Sequence, residues 1–252
     1  MAIVRTTEGG TTRPDATTVA ITVTLTVENA GDIIIAGVGT RSLNTSVTIN
    51  STNVIDIIGT TIAGVGMAGR IGYLIPDTTG SKIIRARDQD VGGTLDMLVA
   101  AVYTGIDGTD PIGTTALTTI AAGATSIATT FVTSGNDVPI AIAGGFRTTI
   151  MTTGSATTNV VKKTMGTSQH LILADKTTAN VSTASFRWIF DAGGTGFSVF
   201  LGGFSLNSSV AATAINNTQV IMMGKDHSYK DNPGYMMSKP TIQNGVYQPE
   251  YG

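Results

Sequence analysis

Cysteine is absent from the chain. Its absence excludes a disulfide framework, a Cys-ligated zinc centre and thiol catalysis. Charge is sparse as well. Only 13% of the 252 residues are Asp, Glu, Lys or Arg, and 15 basic against 17 acidic residues leave a net charge of −2. A duplex-DNA binder carries a basic face that meets phosphates. The densest basic group here, Lys82, Arg85 and Arg87, has Asp88 and Asp90 beside it. It reads as a solvated strand end in preference to a phosphate site, so no nucleic-acid partner is expected. No apolar run approaches the roughly 18 residues of a transmembrane helix, and no membrane partner is expected. "MAIVRTTEGG" lacks the apolar core of a signal peptide, which predicts synthesis in a cytoplasm without Sec export. Tryptophan occurs once and histidine twice.

What the chain has in excess is threonine, about one residue in six, together with 31 glycines and many Val and Ile. This composition is poor in helix formers and rich in strand formers. "TVAITVTLTV" (18–27) alternates apolar residues with Thr, which predicts a strand with one buried face. "DIIIAGVGT" (32–40) is continuously apolar and fits a strand covered on both sides. "LDMLVAAVYTG" (95–105) reads as a central strand because Gly92–Gly93 and Gly105 flank it. "ATSIATTFVT", "VPIAIAGGF", "HLILAD", "TASFRWIF" and "FSVFLGGFSL" continue the series, with turn residues every 8 to 15 positions or so. "GRIGYLIP" and "SKIIRARD" bracket "DTTG", a hairpin-like connection. The fold class is all-β, with two packed antiparallel sheets over residues 18–206.

One motif suggests chemistry. "GVGMAG" (64–69) fits G-x-G-x-x-G, the phosphate-binding turn of dinucleotide enzymes. A strand precedes it, and Asp88 and Asp90 lie near the distance of a ribose-binding acid. The helix that must follow is missing, because "RIGYLIP" holds Gly72 and ends at Pro76. The glycines read instead as a loop entering a strand, where they allow positive φ. No cofactor is expected. Neither His170 nor His227 has metal-ligand spacing, and both read as surface groups. Asp107 and Asp110 in "YTGIDGTDP" read as an Asx-type turn rather than a calcium loop. No G-x-S-x-G elbow supports a serine nucleophile. In "SFRWIF", alternation places Phe186, Trp188 and Phe190 on one face, where a core stripe competes with a sugar-stacking platform. Phe197, Phe200 and Phe204 are expected in the same core. No catalytic residue emerges, and the chain is read as a non-enzyme.

The ends differ from the middle. Residues 1–17 are polar and turn-rich and predict an N-terminal arm. From residue 207 to residue 252 the strand pattern dissolves, yet this stretch holds four of the six Tyr, four of the nine Met and three of the seven Pro. A disordered tail is normally poor in such side chains. The alternatives are an arm that docks on a neighbour, and a flexible tail or a strap on its own domain. For docking, the candidate contact residues are Tyr229, Tyr235, Met236, Met237, Tyr247 and Tyr251.

Between residues 18 and 206 the chain resembles a family of bacteriophage virion proteins. The resemblance is carried by Tyr103 to Asp107, the Pro111–Ile112 turn, and the Ser/Thr strand Ala124 to Thr133. The Asn136–Asp137 step into Val138 to Gly145 extends it. "ITVTLTVENAGDIIIAGVGTR" is similar to that family's first hairpin, and "FSVFLGGFSL" to its closing strand. These are jelly-roll sandwiches, some of them lectin-like. The resemblance implies a capsid decoration (cement) protein made in a host cytoplasm and located on the virion surface. Its partners would be the major capsid protein and copies of itself, with a trimer favoured. The alternative is a tail-fibre or receptor-binding module that recognises host glycans.

Overall fold

The computed structural model describes residues 3–14, 19–40, 45–58, 62–64, 67–89, 95–120, 125–134, 136–146, 152–153, 158–165, 169–176, 183–189, 199–209, 241–243 and 246–248. All regular structure among them is β. The first half of the chain supplies β1 (Val4–Thr12), β2 (Ala20–Val27), β3 (Ile33–Thr40), β4 (Thr45–Ile49), β5 (Thr52–Asn53), β6 (Ile55–Asp56), β7 (Ile62–Gly64), β8 (Met67–Leu74), β9 (Gly80–Asp88) and β10 (Leu95–Thr104). The second half supplies β11 (Ile112–Ile120), β12 (Ser126–Val132), β13 (Val138–Phe146), β14 (Thr152–Thr153), β15 (Thr158–Met165), β16 (Gln169–Asp175), β17 (Thr183–Ile189) and β18 (Val199–Leu206).

These strands build four sheets within one compact unit, Met1–Val210. A first outer sheet, β2-β9-β4-β5, packs on a first inner sheet, β1-β10-β3-β8-β6, with β7 also paired to β8. A second inner sheet, β11-β18-β13-β16-β15, carries a second outer sheet, β12-β17-β14. Three apolar seams join the layers. Ile21, Leu25, Val47 and Ile84 of the first outer sheet meet Ile34, Val38, Leu98 and Val102. The opposite face of that inner sheet, with Ile33, Ile35, Val99 and Ala101, meets Ile140, Ile142, Leu171 and Leu173. Ala141, Ala143, Ile172 and Ala174 then meet Phe131, Phe186 and Trp188 of the second outer sheet.

The layering explains the sequence pattern. Outer strands have one wet face, and β9, β12 and β17 alternate strictly between exposed and buried. The central inner strands have none, and β3, β16 and β18 are buried at every position. The single two-sheet sandwich expected over 18–206 is therefore two sandwiches stacked through their inner sheets. The strand order of the first, β1-β10-β3-β8 over β2-β9-β4, recurs in the second as β11-β18-β13-β16 over β12-β17-β14.

Other expectations change with it. The polar segment 1–17 is not simply an arm, because Val4–Thr12 pairs with β10 as an edge strand. "DTTG" is not a hairpin turn. β8 and β9 lie in different sheets, and the connection crosses between layers with Gly80 at a φ of 95°. His170 is fully buried instead of on the surface, because it sits on a strand covered on both faces. Phe186 and Trp188 stack at 5.9 Å in the outer seam, so Trp188 is core and no sugar platform. Phe200 and Phe204 belong to the middle seam instead, while Phe190 and Phe197 lie outside the described residues.

Gly69, the last glycine of "GVGMAG", lies within β8 opposite Gly39. Its role there is close approach. A Cβ at Gly69 or at Gly144 would collide with the Phe200 ring, which fills the space between the inner sheets at these points. Gly37 does the same for Ile142, whose methyls would stand 2.8 Å from an added Cβ. Interiors packed to crystal density leave no slack for such a group. Gly69→Ala is expected to destabilise the fold by about 1–3 kcal/mol. Phe200→Leu in the same chain should return part of that loss, and a urea-unfolding double-mutant cycle measures the coupling. Additive effects would show that Gly69 does not accommodate the ring.

Candidate functional site

The solvent face of the first outer sheet carries a groove of about 700 Å³ lined by Val19, Ser46, Thr48, Ser51, Asn53, Arg85, Arg87, Asp88 and Gln89. That volume lies within the roughly 300–1,000 Å³ of small-ligand sites. Its floor follows from period-two alternation. Along β9, Lys82, Ile84, Ala86 and Asp88 turn inward while Ile83, Arg85 and Arg87 turn outward. Two strand residues on one face stand about 7 Å apart. Across the ladder, Arg85 lies opposite Thr22 and Thr48, and Arg87 opposite Ala20 and Ser46. Asn53 is opposite Thr48.

The end of the groove at β4 and β5 is held by a two-residue hairpin. Asn50 and Ser51 both have positive φ, 45° and 71°, the conformation whose twist matches flanking strands. The Asn50 amide donates to the Ile83 carbonyl at 2.9 Å, and its side-chain Oδ1 accepts from the Ile83 amide at 2.8 Å. The turn is thereby tied to the strand that bears both arginines.

The two arginines stand apart from their peers. Arg5 bonds Glu8 and Asp175, and Arg70 forks onto Asp56 at 2.5 and 3.2 Å. Arg187 reaches Ser126 at 3.5 Å. Among the described residues no carboxylate pairs with Arg85 or Arg87. Lys82, grouped with them in sequence, is buried on the other face, where its Nζ donates to Thr78 Oγ1 at 2.7 Å and to the Thr79 carbonyl at 3.2 Å. Asp88 is buried and engaged within the protein, and Asp90 lies outside the described residues.

A second polar group sits in the middle seam. Arg5 Nη1 and the Tyr103 hydroxyl both donate to Asp175 Oδ2, at 2.9 and 3.2 Å. Asp175 Oδ1 is buried without a partner among the described residues. With its side chain 1% exposed, Asp175 is out of reach of a substrate. The group joins β1 and β10 of one inner sheet to β16 of the other. No signal in the sequence links Arg5 to a residue 170 positions away.

The remaining candidates are quickly placed. Asp107 Oδ1 accepts from the Thr109 and Asp110 amides at 2.8 and 3.3 Å, an Asx turn as expected. Among the described residues no cluster of three metal-ligating side chains occurs. Tyr229, Tyr235, Met236, Met237 and Tyr251 lie outside the described residues, as does His227. Tyr247 falls within β20 (Val246–Gln248), which pairs with β19 (Thr241–Gln243) in the separate unit Ala211–Gly252.

Burial raises the Asp175 carboxyl above its ordinary range, and Arg5 and the Tyr103 hydroxyl offset only part of the rise. Burial, then the Asp175 charge, pushes the Tyr103 hydroxyl well above its usual value and keeps it a donor. A carboxyl with a raised folded pKa binds its proton more tightly in the folded state. Its contribution is complete below the unfolded value and is lost as pH rises through the folded one. The stability of the native chain minus that of Asp175→Asn should therefore fall across this window, measured by urea unfolding at stepped pH. A difference that rises with pH would contradict the assignment. Set against known proteins, the chain matches no family model, no curated protein and no solved structure.

Proposed function

We propose that this chain is a non-enzymatic structural protein of a tailed-phage particle, a head decoration or cement protein. The observation that carries the reading is the strand order. Each half sets its first strand beside its last and its last beside its third in the inner sheet, over an outer sheet in which the second strand lies beside the penultimate long strand. This order supports reading each half as a jelly roll, an architecture of capsid and lectin domains. The fold alone does not fix a function, so the reading rests also on the resemblance carried by residues 18–206.

In this role the stacked sandwiches act as a rigid block, and cementing comes from surface buried between capsid subunits. A stable contact of that kind buries roughly 1,200–2,000 Å². Binding only the assembled shell stabilises it by mass action. The low charge density reduces the desolvation cost of such contacts. Closed symmetry, with a trimer favoured, suits a protein seated at local three-fold positions. Tyr229, Tyr235, Met236, Met237, Tyr247 and Tyr251 are the proposed capsid contacts.

Residues 207–209 belong to the body. The Asn207 amide donates to the Pro111 carbonyl and the Ser209 amide to the Gly105 carbonyl, both at 3.0 Å. Removal of Ala211–Gly252 is therefore expected to leave the melting transition of the body in place while capsid binding falls. Quantitative mass spectrometry of purified particles tests the larger claim. Copy numbers comparable to the major capsid protein are expected. A few copies per particle would move the protein to a tail fibre with glycan recognition, and absence from particles would end the reading.

A further inference from the structure

We propose that the groove on the first outer sheet binds an acidic carbohydrate, with Arg85 and Arg87 holding its carboxylate or sulfate groups. The inference does not depend on whether the chain coats a head, because it rests on the groove alone.

Arg85 and Arg87 leave the same strand face, and their cross-strand neighbours Thr22, Thr48, Ala20 and Ser46 are all neutral. Like charges placed side by side destabilise a sheet, and opposite charges across a ladder relieve this. Elsewhere the chain does pair its arginines with acids: Glu8 and Asp175 meet Arg5, and Asp56 meets Arg70. Among the described residues no acid does so here. Both arginines are exposed and, among the described residues, meet no carboxylate, so their donor forks can receive a planar or tetrahedral oxyanion through paired hydrogen bonds.

The rest of the lining selects the ligand class. Ser46, Thr48, Ser51, Asn53 and Gln89 offer hydroxyls and amides that both donate and accept, as sugar hydroxyls require. None of the lining residues is aromatic. A neutral sugar loses the aromatic face on which such ligands usually stack, and single-stranded nucleic acid loses its stacking platform. A net charge of −2 also withholds the broad basic track that a phosphate backbone follows. With Asp88 turned inward and buried at the groove's edge, an oxyanion for the arginines and hydroxyls for these five residues describe an acidic saccharide. The hairpin fixed by Asn50 keeps one wall of the groove in place before binding, which lowers the ordering cost.

The second sandwich supplies an internal control. Its corresponding strand, β17, presents a single arginine, Arg187, opposite Ala128 and bonded to Ser126.

The test is isothermal titration of the full chain at low ionic strength. The probes are a heparin-derived tetrasaccharide for sulfate, a polygalacturonate-derived tetrasaccharide for carboxylate, maltotetraose as the neutral sugar and a short single-stranded oligonucleotide. At least one acidic tetrasaccharide is expected to bind, and the stronger of the two names the oxyanion. Arg85→Gln with Arg87→Gln should weaken it by about 10- to 100-fold. Arg85→Lys with Arg87→Lys should retain part of the affinity, because charge remains and the fork is lost. Arg187→Gln should change nothing. Both double variants are at exposed positions, and an unchanged melting transition verifies their fold. Failure of both acidic probes to bind overturns the proposal. So does equal binding of maltotetraose or the oligonucleotide, or binding indifferent to Arg85 and Arg87. A particle census showing no copies would overturn the virion role and leave this result standing.

Discussion

The structure depends on how closely its two inner sheets approach. Phe200 lies across the middle seam, and the space for its ring exists because Gly69 on one sheet and Gly144 on the other have no side chain. Gly202 clears the way for Ile71 in the same seam. In its central strands each inner sheet thus spends one face on the other and the second face on an outer sheet, where an antiparallel sheet usually keeps a wet side. The outer seams are filled by complementary volumes. In the second half, Ala141, Ala143, Ala174 and Gly203 face the aromatic rings of Phe131, Phe186 and Trp188. In the first, branched aliphatics meet branched aliphatics.

Much of this was legible in the residues. Alternation in "TVAITVTLTV" and "TASFRWIF" marks outer strands, and unbroken apolar runs in "DIIIAGVGT" and "HLILAD" mark inner ones. The same runs hide the number of layers. A strand buried on both faces reads the same in a stack of three sheets or of four, and period two names no partner. The halves also share strand order with little shared sequence, since β9 carries "GSKIIRARD" where β17 carries "TASFRWI". Topology repeats there because the inward positions are apolar in both, while the residues that fill them differ.

The polar details were less legible, for a different reason. Lys82, Arg85 and Arg87 are neighbours in sequence, and alternation alone sends Lys82 inward and the arginines outward. Separating them required a strand assignment first. That Arg85 and Arg87 lack carboxylate partners among the described residues depends on which strands flank β9, and these are fixed by pairings of β2 and β4 across 37 to 67 positions of chain. The Arg5, Tyr103 and Asp175 group is further still from local pattern. It exists only because stacking brings an edge strand of the first half against the second inner sheet.

With the central strands of both inner sheets covered on both faces, the body meets other molecules through its outer faces, edge strands and termini. The two outer faces are unlike. The first presents Arg85 and Arg87 among hydroxyls and amides. Covering it with a protein surface would strand two cations out of water unless the partner supplied carboxylates, and an unpaired buried charge costs several kcal/mol. The second presents Thr130, Val132, Thr183, Ser185 and Ile189, with Val132 63% and Ile189 41% exposed, and its one arginine already has a hydroxyl partner. Neutral, partly apolar and short of charge, that face loses little on being covered. In an assembly of the proposed kind the cheaper contact would therefore be the second outer sheet, which would leave the arginine-bearing groove turned to solvent.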